Sequence, residues 1–377
     1  MPSLSTVKSS LNRAWTNLRG WRTDRKLLVI ESDDWGATRM PGRKAFNALL
    51  AQGLRVDQSR YDSLDCLEDR SDLEALFEVL ARHQDGHGRP AIMTFNTVMG
   101  NPDFAAIAED GFARFHLQHF LESYRHYHSD CLESLWREAI AEQLIQPQFH
   151  AREHLNSPLW MRDLRSGLEQ TRLAFEHQFY GLKTETSAPG RRSYLATYWP
   201  SQAEDVHCIL DILRDGLKLF TETFGFSSRT FIGCNYVWPE QVEACLAAND
   251  VDFLQGQRAQ LLPEPSLQWS RRSVAHYAGK QNRHGQRYGI RNVFFEPYKK
   301  PEADWSRKAL AEVREAFLLR RPAVICSHRI NFVAGMDRRH RDNTLRQYDQ
   351  LLGQIRHRWP DVEFIASDEL AAAMGRA

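Results

Sequence analysis

The sequence predicts an α/β fold, a single (β/α)7–8-type barrel that is closed or nearly closed, on three observations. Short apolar, β-branched runs alternate with segments of helical period at the spacing of parallel βαβ units. Seven or eight such runs suit a barrel better than an open sheet, and right-handed crossovers would bring all strand ends to one face. Titratable residues also gather where those runs stop. No shift in composition cuts the chain. Residues 27–377 therefore read as one barrel with insertions near 97–145, 181–200 and 256–290, preceded by an N-terminal helix within 1–26.

Composition narrows the possibilities. Lys plus Arg (49) nearly balance Asp plus Glu (48), so no global field would draw the protein to nucleic acid or an anionic membrane. The six cysteines are scattered without a CxxC pair, which reads as buried thiols rather than a disulfide framework. There is no run of 18 apolar residues, so no membrane span is expected. The N-terminus has no signal-like apolar region, which reads as cytoplasmic, or as periplasmic or secreted if a leader has been removed.

Taken in order, Val7, Leu11, Trp15 and Leu18 share one face of an amphipathic helix over 5–19. The first strand is Leu27–Ile30, which runs into Glu31, Ser32, Asp33 and Asp34 before a turn at Gly36. Helices follow at 43–52 and 71–83, the second opened by a capping box of Ser71 and Glu74. After the strand AIMTFN (91–96), residues 97–104 read as loop, and 114–127 and 130–145 as helices. Next come strand PQFHA ending near His150, a long helix over 157–179, a polar excursion, and a helix over 203–223. Strands TFIGCNY and VDFLQG flank a helix over 239–249. Residues 256–290 read as an extended loop with room for a hairpin. NVFFEP, AVICSH and VEFIAS are the remaining strands, with helices over 304–319 and 340–357 and a short last helix.

The strand ends carry the chemistry. Adjacent buried carboxylates repel and are costly, a cost normally tolerated where a cation or a reaction uses the charge; helix capping is the plainer reading of Asp33 and Asp34. His150 and His154 stand at i and i+4, which on one helical turn would place both imidazoles on the same side. A carboxylate from another strand end would complete a 2-His-1-carboxylate set. Such a set suits one divalent ion, zinc first, with cobalt, nickel or manganese as alternatives.

These motifs resemble the polysaccharide deacetylase (NodB-homology) family, also called carbohydrate esterase family four. SDDWG, HAREH and VICSH match its first, second and last motifs. The resemblance implies Asp34, His150 and His154 as metal ligands, Asp33 as general base and His328 as general acid. It further implies a metal-dependent hydrolase that removes acetyl groups from acetylated sugars of a poly- or oligosaccharide. The family's third motif survives only in part: Tyr236 is kept, Asn235 replaces its Pro, and the Arg that should position Asp33 is Arg229 or Arg291. A backbone N–H near Tyr236 would serve as oxyanion donor. Asp252 is the candidate to tune His328.

Further expectations attach to neighbouring residues. Arg152, Arg329 and Asn331 are candidate contacts to an anionic carbohydrate, and Trp35, Trp238 and Trp305 are candidates for sugar stacking or core. His116, His119, His126 and His128 form a second histidine group, read as structural. The basic, aromatic run over 271–292 reads first as a solvated loop. Two rivals stand: a metal-independent glycosidase pairing Asp33 with Glu153 or Glu296, and a non-catalytic carbohydrate-binding protein on the same scaffold.

Overall fold

A computed structural model describes residues 16–182, 194–263 and 272–375. The expected helix over 5–19 lies outside them except for Thr16–Leu18, which is helical. Much of the 181–200 excursion is outside them as well.

The core element is a nine-stranded parallel sheet. Its strands are β1 Lys26–Trp35, β2 Met93–Val98, β5 Ile145–Ala151, β6 Thr230–Phe231, β7 Phe253–Gly256, β10 Arg287–Ile290, β11 Val293–Phe294, β12 Ala323–His328 and β13 Val362–Ile365. They are ordered β10-β7-β6-β5-β2-β1-β12-β11, with β13 beside the start of β1. Two short antiparallel pairs lie apart from it: β3 Gly100–Pro102 with β4 Leu117–His119, and β8 Ala259–Leu262 with β9 Arg272–Ala275. Leu27, Leu28, Val29 and Ile30 are all buried, as expected of a central parallel strand covered on both faces.

The two edges of the curled sheet are consecutive in sequence. Between β10 and β11 stand only Arg291 and Asn292. The Arg291 N–H donates to the Gly256 carbonyl (2.9 Å) and the Asn292 N–H to that of Val324 (3.2 Å). The chain itself thus bridges the seam, and Arg291 enters the barrel there.

Several elements differ from expectation for local reasons. The helix over 157–179 is split into Ser157–Arg165 and Glu169–Glu176, because Gly167 turns the chain with a φ of 76°. The capping box of Arg70–Arg82 is made by Asp69 and Asp72, not by Ser71 and Glu74. The 97–104 loop contains β3, and 256–290 holds both the β8–β9 hairpin and the sheet strand β10. TFIGCNY is extended only at Thr230–Phe231, since Asn235 and Tyr236 both take left-handed φ values (57° and 56°) that end a strand.

The main hydrophobic cluster fills the space between sheet and helices, and a second one packs residues of 40–56 against residues of 155–182. Trp35 belongs to the first. It is fully buried and stacks on Phe95 with centroids 3.8 Å apart, so it is core and not a sugar platform. Trp238 and Trp305 are buried likewise. Among the described residues no helix is long and apolar enough to cross a membrane.

Candidate active site

The site is organised by a bulge in β1. Its register against β2 shifts between Ser32 and Trp35, and Asp34 takes a φ of 76°, strained for a residue with a Cβ. The two carboxylates therefore enter different surroundings.

Asp34 faces two imidazoles. Its Oδ1 lies 3.5 Å from His150 Nε2 and 3.2 Å from His154 Nε2, while Oδ2 accepts from Arg39 at 3.1 Å. His150 sits at the end of β5 and His154 in the bend that follows, so the pair converges without the expected helical turn. His150 Nδ1 donates to the Ile232 carbonyl at 2.8 Å, which turns Nε2 into the cluster. Cys234 Sγ lies 3.7 Å from that nitrogen. Asp34, His150, His154 and Cys234 are no more than 3% exposed, and Arg39 is buried as well.

Burial and charge act against each other in this cluster. Burial disfavours charge on every member, yet Cys234 and Asp34 hold His150 and His154 above the ordinary histidine value. The Arg39 guanidinium and His154 hold Asp34 well below the carboxylate range despite its burial. Burial would raise the Cys234 thiol, but the two imidazoles bring it down to about 6. Ligand atoms about 2.0–2.1 Å from a tetrahedral ion lie about 3.4 Å apart, so the Asp34–His150–His154 spacings fit a divalent ion.

Asp33 faces the other way. Arg291 clasps it through both terminal nitrogens (2.6 Å each), and Asn96 donates to Oδ1 at 2.7 Å. Arg291 also donates to Glu31 (2.6 Å) and to the Tyr236 hydroxyl (3.1 Å). Burial works against the Asp33 charge, but Arg291 outweighs it and holds the carboxyl at about 2. Register places Asp33 opposite His328 on β12, with Oδ2 3.5 Å from Nε2. His328 Nδ1 is bonded to Glu296 at 2.6 Å. Burial opposes protonation of this imidazole, yet Glu296 carries its pKa upward. Tyr61 meets the His328 ring edge-on.

Other expected residues lie elsewhere. Asp252 precedes β7, at the end of the strand away from the site, and pairs with Arg229 on an exposed edge. It does not reach His328; Glu296 has that place, and Arg291 rather than Arg229 positions Asp33. Arg329 is fully buried and bonded to Asp65, Glu68 and the Ala37 carbonyl, a structural clasp and not a substrate contact. Asn331 is buried too; its side-chain amide donates to Glu296 (2.8 Å) and so steadies the partner of His328. Arg152 turns away to Glu153 and Asp215. Asn235 is exposed, and the Tyr236 N–H is spent on the Gly233 carbonyl (2.8 Å), so it is no oxyanion donor.

His116, His119 and His128 have local partners in Asp110, Thr223 and the Leu67 carbonyl, respectively. The glycosidase pair loses its support. Glu153 is spent on Arg152 and Ser157, and Glu296 on His328 and Asn331, so neither offers a free acid opposite Asp33. Cys234, Asn96, Tyr61 and Arg39 are site residues the sequence reading missed, and Glu296, considered there only as a glycosidase acid, is instead the partner of His328. Glu296 and Cys234 stand at or just beyond strand ends, the signal that singled out His328.

No family model matches the chain, and no curated protein matches it. Solved structures do. A protein assigned as a polysaccharide deacetylase from Mycobacterium smegmatis is 9% identical, with a TM-score of 0.46 over 95% of this chain and 93% of that one. A 4-alpha-glucanotransferase from Thermococcus litoralis is 7% identical, with a TM-score of 0.45 over 92% of this chain and 40% of that one. A pseudoenzyme of carbohydrate esterase family four from Bacillus anthracis is 9% identical, with a TM-score of 0.40 over 92% of this chain and 66% of that one.

Proposed function

We propose that the protein is a metal-dependent hydrolase that removes acetyl groups from an acetylated carbohydrate. The observation that carries this reading is the divergence of Asp33 and Asp34. It sets a 2-His-1-carboxylate pocket beside a carboxylate–imidazole pair in a buried site. The carbohydrate and the acetyl group come from the motif resemblance; the geometry supports hydrolysis of a polarised acyl bond.

Asp34, His150 and His154 would hold a divalent ion, zinc by preference, which when bound supplies Lewis acidity toward a carbonyl and lowers the pKa of water. Arg291 and Asn96 keep the Asp33 carboxylate ionised and fixed in direction, ready to accept a proton. Glu296 fixes the ring of His328 and favours its protonated form, so Nε2 can hand a proton to a departing amine or alkoxide. Asn331 and Ser327 complete the support, the amide donating to Glu296 (2.8 Å) and to the serine hydroxyl (3.2 Å). Tyr61 and Tyr236 stand beside the reacting groups and help to shape the space an acyl group would enter.

The test couples elemental analysis with acetate release from acetylated amino-sugar oligomers, on wild type and His150→Ala/His154→Ala. The expected result is near-stoichiometric metal in wild type, its loss in the double variant, and an activity drop of about 10³-fold or more. Acetate release that survives unchanged without metal would overturn the reading.

A further inference from the structure

We infer that Cys234 is a fourth protein ligand of this site, so that an ion held by Asp34, His150, His154 and Cys234 would take water or substrate as a fifth ligand, and that its sulfur gives the site a preference for zinc over harder divalent ions. The inference rests on the metal reading above and goes beyond it, because the resemblance assigns no ligand to this position.

Geometry is the first support. One ring nitrogen of His150, one of His154 and Cys234 Sγ all lie within 4.8 Å of one another, and the sulfur is 3.7 Å from His150 Nε2. A zinc–sulfur distance of about 2.3 Å and a zinc–nitrogen distance of about 2.05 Å at a tetrahedral angle put those atoms about 3.6 Å apart.

The backbone is built to deliver that sulfur. Gly233 lies so close to Trp238 that a Cβ there would fall 2.3 Å from the indole, and Asn235 and Tyr236 then turn left-handed. The chain leaves the strand early, and the Cys234 side chain is buried against the two histidines.

Charge is the second support. Arg39 is shared between Asp34 (3.1 Å) and Asp65 (3.4 Å), and Arg329 pairs with Asp65 and Glu68, so two guanidinium groups stand against three carboxylates. That leaves Asp34 as the carboxylate facing the imidazoles, one negative charge against a divalent cation. A Cys234 thiolate would bring this buried cluster to neutrality, the thiol proton passing to solvent on binding. Thiolate ligands favour zinc, whereas manganese prefers oxygen donors.

X-ray absorption at the zinc edge tests this on zinc-loaded wild type, Cys234→Ser and Cys326→Ser, alongside zinc–manganese competition. The expected result is one sulfur neighbour per zinc at about 2.3 Å in wild type and Cys326→Ser, but none in Cys234→Ser. Zinc preference over manganese should fall at least about tenfold in Cys234→Ser. Stoichiometric zinc in wild type with only nitrogen and oxygen neighbours would overturn the Cys234 assignment and leave the metal reading standing. A sulfur neighbour kept in Cys234→Ser or lost in Cys326→Ser would overturn it equally. Absence of bound zinc in wild type would overturn both. Should Cys234→Ser not fold, the wild-type and Cys326→Ser spectra decide.

Discussion

Two clusters of nearly the same composition flank the bulge in β1. His150, His154 and Cys234 gather on the Asp34 side; Glu296, Cys326 and His328 gather on the Asp33 side. They differ in what holds the imidazole from behind. His150 Nδ1 is tied to a backbone carbonyl, which turns Nε2 toward Asp34 and Cys234, where a bound cation would take the place of the proton they favour. His328 Nδ1 is tied to a carboxylate, which favours the charged ring and makes Nε2 a proton donor. Arginine placement follows the same division: Arg39 takes one oxygen of Asp34 and leaves the other open, whereas Arg291 covers both oxygens of Asp33. Residue type alone does not assign the role; the partner of the far nitrogen does.

The sharpest way to break this comparison is to remove the acid–base side and ask whether the metal side notices. Asp33→Asn and His328→Ala should each lower kcat by about 10²–10⁴-fold while metal content stays at the wild-type level. Metal loss in either variant would mean that the two clusters are one unit.

Glu296→Gln is the next test, with an expected fall of about 10–100-fold. Burial depresses the His328 pKa and Glu296 raises it, so removing the carboxylate charge lowers it. The acid form is then lost at lower pH, and the alkaline limb of kcat/KM should move to lower pH. An unmoved limb would show that Glu296 acts through packing alone.

Arg329→Met probes the contrasting buried clasp, which pairs with Asp65 and Glu68 but faces no reacting group. Leaving those carboxylates unmatched should cost about 3–5 kcal/mol in denaturant unfolding. The pH limbs of the fraction that stays folded should be unchanged. The smallest effect belongs to Asp252→Ala. Its pair with Arg229 is about half exposed, so stability should change by less than about 0.5 kcal/mol and the pH profile should not move.

What the sequence by itself determined is what is local. The apolar run Leu27–Ile30 ending in Asp33 and Asp34, the His150–His154 spacing, and the run ending at His328 are short-range patterns, and short-range sterics and burial produce them. Strand and helix alternation likewise announced the α/β barrel, although Gly167 and the left-handed Asn235–Tyr236 step cut elements short where φ, not hydropathy, decides. Only the tertiary structure decided the partners. Arg291 meets Asp33 across 258 residues, His150 meets the Ile232 carbonyl across 82, and Glu296 meets His328 across 32. On paper Arg229 was as open a choice as Arg291, and Asp252 was the candidate to tune His328, but each stands just before a strand, at the end away from the site. A charged side chain finds its partner through strand order and the seam of the barrel, and neither is carried by spacing along the chain.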